Sequence, residues 1–518
     1  MSIDSLRDGF VNLCFDPSLN VLQGACRVLF EGQFYQDTGL GCTPAEPDKL
    51  IKVTTPRDIN CLFGLGSVLA ESLHRAFTCC GDNTGIEIYA IPRADAAGSV
   101  KAEYTMTFGG TATTDGRIDI FWIDGAYNVS VYVTAGMTRE EIAVAVHDAY
   151  DALETGSGTS LPMGHSDSGN VVTFVAKNGG TVGNCFGPAL FNWHARNDYL
   201  PEGVTFEFAQ TVVGSGNPVP LDYSAILGEC CYCCIGMLYD DPLWQNGMIA
   251  YVKDAWACDN PQCFGHSYTY NSGTLGQILA TDTNSPEVSR MAQCCTDPNP
   301  GWLKVAAYTA VSCCRTVNNP ELSIQGPQNG LLNCVIQPES CSQCFTFDEQ
   351  EQLRLNGYVV TVPVAGGSGH PTYPYVTNDI TNNRYDEEGR PNLTWRDTNS
   401  RRLAAEVADE LAKQLQVYNG IGLFTKNTTI KRGIKGTNPR LILGSVRTWA
   451  KDNVGILFSE FEDIDNDITL QTDFEVAPPC RGMPGKLHLN MIYRPPVRID
   501  DFTVNLKPRL LDNCNING

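Results

Sequence analysis

Cysteine content is the feature that most constrains how this chain can fold. The 518-residue sequence contains 22 cysteines, and thirteen of them lie between Cys230 and Cys344. Such enrichment is typical of an oxidising compartment, whereas a start without a basic and then apolar leader predicts folding in a reducing cytosol. A particle that is assembled inside a cell and later released would meet both conditions.

Disulfides are not needed here to compensate for a small core. A chain of this length with 42% hydrophobic residues can build several cores, so folding alone does not explain so many thiols. A bond between neighbours such as Cys79 and Cys80 would strain the peptide between them. We therefore expect the two thiols of an adjacent pair to point to different partners.

Charge excludes one class of partner. The chain carries 36 Lys and Arg against 58 Asp and Glu, a formal net charge of -22. This balance repels phosphate backbones, and no basic cluster is interleaved with aromatic residues, so we expect no nucleic-acid binding. No apolar run approaches the roughly 18 residues of a membrane span, so we expect no membrane insertion. The expected partners are proteins.

The segment from 95 to 215 has the clearest local pattern. Alternating apolar residues and Asp-Gly turns predict a β-meander of three strands, over 101–108, 117–123 and 127–133. Thr138 and Glu141 then form a capping-box pattern that predicts the start of a helix. Together these signals predict a compact, β-rich domain inserted into the chain.

Two further helices are predicted near the C-terminal end. Leu403, Val407 and Leu411 follow one another at i, i+4 spacing, which indicates an amphipathic helix whose opposite face is charged. A second helix is predicted from Pro439 to about Asp452.

No catalytic or cofactor-binding pattern stands out. Cys341 and Cys344 have the C-x-x-C spacing of a zinc knuckle, but no second such pair lies at finger spacing, and no two histidines are three to five residues apart. The seven histidines occur in unrelated contexts, and the sequence contains no G-x-S-x-G elbow. We therefore expect no enzyme activity, no cofactor and no metal.

The order of several short motifs resembles the contractile tail sheath proteins of myoviruses, particularly the Mu-like group. The motifs lie at 56–69, 88–92, 131–142, 176–184, 265–266, 273–275, 395–397, 401–403 and 494–496. No single one is as specific as a phosphate-binding loop, and their collinearity over nearly the whole chain carries the resemblance. The cysteine enrichment departs from the sheath pattern.

The resemblance implies an α/β mixed multidomain fold, with a sheath-type C-terminal core, terminal β-arms and a β-rich outer insertion domain. The implied segments are an N-terminal linking arm 1–30, a middle domain 31–94 and 216–350, the outer insertion domain 95–215, a core facing the tail tube 351–499, and a C-terminal linking arm 500–518. Apolar alternation without a local core independently supports the first arm.

The resemblance also implies a function. Subunits of this kind stack as hexameric rings around the tail tube in a metastable extended state, and contraction drives the tube through the host envelope. The implied partners are further copies of the chain, the tail tube protein, and the baseplate and tail terminator proteins. The implied location is the virion, after assembly in the host cytoplasm.

Candidate functional residues follow from this reading. We expect disulfides between subunits at cysteines close to the two arms, namely Cys14, Cys26, Cys480 and Cys514. Other candidate disulfide residues are Cys230, Cys231, Cys233, Cys234, Cys341 and Cys344. Two acidic pairs on charged segments are candidate contacts with the tail tube, namely Asp409 and Glu410, and Asp463 and Asp465.

Two alternatives remain open at this point. A cysteine-rich secreted enzyme or adhesin built from β-domains would give meaning to the glycosylation sequons at Asn128, Asn392 and Asn427. A zinc-dependent structural protein would use Cys230 to Cys234 with Cys341 and Cys344.

Overall fold

The computed structural model describes most of the chain. The described residues are 26–36, 41–80, 85–121, 128–157, 161–184, 189–190, 200–228, 230–256, 263–281, 284–297, 299–317, 319–332, 344–363, 373–386, 388–391, 395–418, 420–424, 428–472 and 487–493. They form two compact units, one within Met1–Gly420 and one within Ile421–Gly518.

Strands and helices alternate along the described chain, which confirms a mixed α/β fold. The strands are β1 Cys26–Gln33, β2 Ile51–Val53, β3 Ile86–Arg93, β4 Lys101–Gly110, β5 Gly116–Phe121, β6 Val129–Val133, β7 Met163–Ser168, β8 Val171–Gly179, β9 Ala189–Leu190, β10 Val204–Val212, β11 Cys234–Met237, β12 His266–Gly273, β13 Val288–Cys294, β14 Tyr358–Val359, β15 Thr361–Pro363, β16 Pro374–Val376, β17 Gly422–Leu423, β18 Gly436–Thr437, β19 Ile468–Thr472 and β20 Leu487–Met491.

The helices are α1 Pro56–Phe63, α2 Val68–Cys80, α3 Arg139–Ser157, α4 Tyr223–Leu227, α5 Pro242–Ala255, α6 Leu275–Leu279, α7 Gly301–Thr316, α8 Gly326–Asn329, α9 Phe347–Leu355, α10 Thr398–Gln416, α11 Pro439–Asp452 and α12 Ile464–Asp467. The predicted helices around Leu403 and from Pro439 are confirmed as α10 and α11. No helix in the described part of the chain has both the length and the apolar character that crossing a bilayer requires.

The first unit is built on a seven-stranded sheet with the order β14-β13-β12-β11-β1-β3-β2. All neighbours pair in parallel except β2, which runs antiparallel to β3 at the edge. Parallel strands are covered on both faces, and most residues of β1, β12 and β13 are accordingly buried.

Helix α7 is the centre of the helical cover on this sheet. It packs against α2 and against β1, β11 and β12, and every residue from Gly301 to Cys313 is buried. Gly301 permits this close approach, because a Cβ atom at that position would lie 2.2 Å from the Tyr270 ring. A helix that is buried all round has no polar face, as its Ala- and Val-rich sequence reflects.

The segment 95–215 forms two sheets of its own, ordered β10-β4-β8-β7 and β6-β5-β9, with α3 packed against β4, β6, β7 and β8. The segment leaves and rejoins the rest of the unit side by side, where Val100 and Ser215 exchange backbone hydrogen bonds of 2.8 and 3.1 Å. The Thr138–Glu141 capping box is confirmed by reciprocal side-chain bonds to the backbone.

The predicted three-strand meander is wrong in its pairing. β5 and β6 do form a hairpin, but β4 pairs with β8 and β10 in the other sheet. The Asp115 carboxylate accepts a hydrogen bond from the Ala135 backbone nitrogen at 2.7 Å. The Asp-Gly sequence therefore supports a connection between two sheets rather than a tight hairpin. The second predicted turn, at Asp124 and Gly125, lies outside the described residues.

The second unit contains α11 packed against β19, which pairs antiparallel with β20. Its buried side chains include Ile442, Val446, Trp449 and Phe458. The boundary at Gly420 falls inside the segment 351–499 that the sequence treats as one domain, since α10 belongs to the first unit.

Candidate functional site

Four cysteines from three distant parts of the sequence meet inside the first unit. β1 and β11 are parallel neighbours with Val28 opposite Cys234, and the Cys233 nitrogen donates to the Arg27 carbonyl at 2.9 Å. Because α7 packs on both strands, Cys313 reaches the same place, and its Sγ lies 3.2 Å from Cys26 Sγ. Parallel pairing is thus what brings these thiols together.

Hydrogen bonds among these thiols shift their pKa values in different directions. Cys26 is hydrogen-bonded to Cys233 and to Cys313, and these bonds lower its pKa against the effect of burial. The pKa of Cys313 is raised by its bonds to Cys234 and Cys26 and by burial. The pKa of Cys26 and the pKa of Cys313 are therefore shifted in opposite directions by the contact between the two thiols.

Adjacent cysteines have different partners in the Cys230–Cys234 segment, as the sequence predicts. Cys231 is hydrogen-bonded to Cys263, which lowers the pKa of Cys231. Cys233 is bonded to Cys26, and Cys234 to Cys313. Cys230 is exposed.

The structure also contains disulfides that the sequence did not single out. Cys42 is bonded to Cys61, with a Cα–Cα distance of 5.4 Å, and this bond joins the segment before β2 to α1. Cys79, Cys295 and Cys314 are disulfide-bonded as well.

Of the other predicted disulfide cysteines, only Cys344 lies among the described residues. Cys14, Cys480, Cys514 and Cys341 lie outside the described residues. Cys344 is half-buried and precedes α9. Cys26 has a neighbouring thiol in its own chain, which competes with the predicted link to another subunit.

The four predicted tube-contact acids differ in availability. Asp409 is only 3% exposed and its carboxylate lies 2.6 Å from Lys413 Nζ, so it presents little surface to a partner. Glu410 shares the same lysine at 2.8 Å. Asp465 is exposed and pairs with Arg447 at 2.7 Å, while Asp463 accepts from the Asp465 backbone nitrogen at the start of α12.

The motifs at 265–266 and 401–403 meet in the structure. The Arg401 guanidinium stacks 4.4 Å from the Trp256 ring and reaches the Gly265 carbonyl at 3.4 Å. Arg402 donates to Asp379 at 3.0 Å, and Tyr308 of α7 donates to the same carboxylate. These bonds attach α10 to the central sheet.

A second buried ionic group lies where the 95–215 segment joins the sheet. Arg93 donates to Glu31 at 2.7 Å and stacks 4.4 Å from the Trp244 ring. Tyr223 donates to Glu31 at 2.8 Å. Burial raises the pKa of Glu31 to about 7, although Arg93 and Tyr223 act in the opposite direction.

At the same junction, the Asp95 carboxylate accepts hydrogen bonds from the Gln33 side chain of β1 at 2.6 Å and from the Gly179 backbone nitrogen of β8 at 2.8 Å. Charge and hydrogen bonds at this junction therefore fix the inserted segment on its support.

A cluster of histidine and carboxylate groups was not anticipated from the sequence. His147 and Asp151 of α3 and His165 of β7 place one possible ligand atom each within 4.8 Å of one another. The i, i+4 spacing of His147 and Asp151 on a predicted helix was the available signal. His165 joins the cluster because α3 packs against β7, a contact that sequence spacing does not show.

Comparison with known proteins was made on both sequence and structure. No protein-family model matches the chain. Over 333 residues it is 24% identical to the "Mu-like prophage FluMu tail sheath protein" of Haemophilus influenzae, a match that covers 64% of each protein. In sequence, the chain is similar to this Mu-like tail sheath protein.

The resemblance drawn from the sequence motifs is confirmed at this level, although the match spans only about two thirds of the relative's length. A solved structure of the anti-feeding prophage baseplate, sixfold-symmetrised, contains a chain with a TM-score of 0.43 and 10% identity, with 94% of this chain and 93% of that chain covered.

Proposed function

We propose that the chain is a structural subunit of a contractile phage tail sheath, with no enzyme activity. The observation that carries this proposal is the 333-residue similarity to a Mu-like tail sheath protein. In the proposed assembly, subunits stack as hexameric rings around the tail tube. Contraction of this metastable extended sheath drives the tube through the host envelope for genome delivery.

The proposed partners are other copies of the chain, the tail tube protein, and the baseplate and tail terminator proteins. The proposed location is the virion, after assembly in the host cytoplasm. Segments 1–30 and 500–518 are proposed to link subunits by adding strands to sheets of neighbours.

The second unit offers a sheet to which such a strand could be added. β19 and β20 form a two-stranded sheet, and among the described residues neither strand has a second neighbour. Two-stranded sheets are marginally stable alone and gain from further strands. Ile456 and Ile492 in the same unit are each 62% exposed, and cover by a neighbouring subunit would bury such side chains.

The inserted segment 95–215 is proposed to lie on the outside of the sheath, and the segment 351–499 to face the tube. Of the predicted tube contacts, Asp463 and Asp465 are exposed and Glu410 is half-buried, and these three remain proposed contacts. Asp409 is proposed to support α10 instead, because it is buried against Lys413.

Electron microscopy of the purified chain tests the assembly proposal. We expect tubes with sixfold rings from the full chain, and folded subunits without tubes after deletion of residues 1–24 or 500–518. Both deletions leave every described residue in place, so circular dichroism should show that the described helices and strands are retained. Regular tubes from both truncated chains would contradict the assignment of the arms, and monodisperse full-length chains under all conditions would contradict a sheath.

A further inference from the structure

The histidine and carboxylate cluster of the 95–215 segment lies between α3 and β7, which pack on each other. His147 Nδ1 lies 3.8 Å from an Asp151 oxygen and 3.6 Å from an Asp167 oxygen. His165 Nε2 lies 3.7 Å from the other Asp151 oxygen. Two side chains of a helix, His147 and Asp151, and one of a strand, His165, therefore place possible ligand atoms within 4.8 Å of one another.

These separations are close to those of ligands around one metal ion. Zinc binds imidazole nitrogen and carboxylate oxygen at roughly 2.0–2.2 Å, so tetrahedral ligand atoms lie roughly 3.3–3.6 Å apart. The Asp151 oxygens lie 3.8 Å from His147 Nδ1 and 3.7 Å from His165 Nε2, and the three ligand atoms of the cluster lie within 4.8 Å of one another, so they must draw together as an ion binds. Asp151 is 59% exposed, which leaves its side chain room to adjust.

Burial is arranged as a metal site requires. The His165 side chain is 4% exposed and that of His147 is 20% exposed, whereas Asp151 is 59% exposed. The imidazoles are thus held in place by packing, and His165 lies against Tyr150 and Phe174. The carboxylate side is open to solvent, so an ion has a path of entry.

Local charge favours a cation. The carboxylates of Asp148, Asp151 and Asp167 lie within 3.8 Å of His147, and Glu154 lies 3.7 Å from His165. Lys177 lies 3.4 Å from Glu154 and offsets one of these charges. A dication, or protons on both imidazoles, would relieve the remaining repulsion.

We propose that His147, Asp151 and His165 bind one divalent transition-metal ion of the zinc, cobalt or nickel class. Two nitrogen ligands and one carboxylate suit these ions better than magnesium or calcium, which prefer oxygen alone. Ion binding would cross-link α3 to β7 and stabilise the folded segment by mass action. The proposal does not depend on the sheath assignment.

Cobalt titration of the full chain after chelator treatment tests the site. Cobalt on nitrogen and oxygen ligands gives visible d–d bands without the strong sulfur charge-transfer bands that thiolate ligands produce, so the readout separates this cluster from the cysteines. We expect one such ion per chain. We also expect Asp151→Asn and His147→Gln each to weaken its affinity at least tenfold, and zinc to raise the unfolding temperature of the unaltered chain only.

Glu140→Gln is the matched control, because Glu140 lies in the first turn of the same helix and is half exposed. It should bind cobalt as the unaltered chain does. Asp151→Asn preserves shape at an exposed position, and its circular dichroism before metal addition checks that the fold is retained. Sulfur-type bands alone, or equal affinity in the unaltered chain and both ligand variants, would overturn the proposal and leave the histidines as ion-pair partners of the acids.

Discussion

Glu31 is a carboxyl group in the middle of a parallel strand, with no exposure to solvent. Its retention in the core depends on Arg93, Tyr223 and the stacked Trp244 ring. A buried carboxyl group favours its neutral form, and its pKa is raised to about 7 from an ordinary value of 4.5. At this position the proton therefore contributes to folding.

Replacement of Glu31 tests this linkage. Because the folded pKa lies above the unfolded one, the contribution is fully present below pH 4.5 and is lost as pH rises through about 7. The unaltered chain should lose up to about 3 kcal/mol of stability from this group between pH 5 and pH 8, at about 1.4 kcal/mol per pKa unit. Glu31→Gln should remove this component.

Urea unfolding of the first unit at the two pH values measures the difference. Glu46→Gln is the control, since Glu46 is exposed and pairs only with Lys49 at the surface. A pH dependence that is the same in Glu31→Gln as in the unaltered chain would show that this carboxyl group does not titrate as stated.

At the scale of single elements, α10 shows how a helix of polar average composition is fixed to a sheet. Its apolar row was predictable from spacing, and the structure buries Leu403, Val407 and Leu411. The burial of Arg401 and Arg402 was not predictable, because their ion-pair partners are distant in sequence. Glu287 immediately precedes β13, and Asp379 follows β16. Periodicity gives the apolar face of a helix but not the ions that it meets.

Arg402→Ala should detach α10 from the sheet. Removal of one partner from a buried ion pair leaves the other charge, here Asp379, uncompensated, and such losses cost about 3–5 kcal/mol. Lys413→Ala on the same helix should cost at most about 1 kcal/mol, because that side chain is 55% exposed. Limited proteolysis within 395–418 and urea unfolding distinguish the two variants, and equal effects would contradict the anchoring role of Arg402.

The other sequence predictions also divide into those that depend on neighbours along the chain and those that depend on contacts across the fold. The capping box at Thr138 and the helix spacing of α10 rest on neighbours along the chain, which a sequence displays directly. The thiol group of Cys26 and the cluster at His147 depend on which strands pair and which helix covers them. The β4 pairing was mispredicted for the same reason, since its partner β10 lies about a hundred residues downstream.

At the scale of the whole molecule, cysteines are the feature that distinguishes this chain from the sheath pattern. We propose that links between subunits form after release into an oxidising medium and lock the extended sheath. We propose such bonds at Cys14, Cys480 and Cys514, and at Cys26, where the Cys313 thiol of the same chain, 3.2 Å away, competes with a neighbouring subunit.

Non-reducing gels of assembled particles test the locking proposal. We expect multimers that collapse to one 56.5 kDa band on reduction, and we expect reductant to ease contraction by heat or denaturant, because a covalent link forbids the sliding that contraction requires. Cys26→Ser should leave most multimers in place, whereas Cys480→Ser should deplete them. Monomer bands from oxidised, intact particles would contradict the locking proposal and indicate that the cysteines serve packing and bonds within one chain.

The neighbour relation between β1 and β11 has a consequence for synthesis on the ribosome. β3 follows β1 within about 60 residues, but β11 appears about 200 residues after β1, which at 5–20 residues per second is a delay of about 10–40 s. The Val100–Ser215 contact shortens the gap in space, because the inserted segment can close on itself before β11 emerges. Until then the edge of β1 that β11 covers in the folded chain lacks this partner, and Cys26 lies at its first residue, so we expect redox conditions and chaperones to decide what that edge meets first.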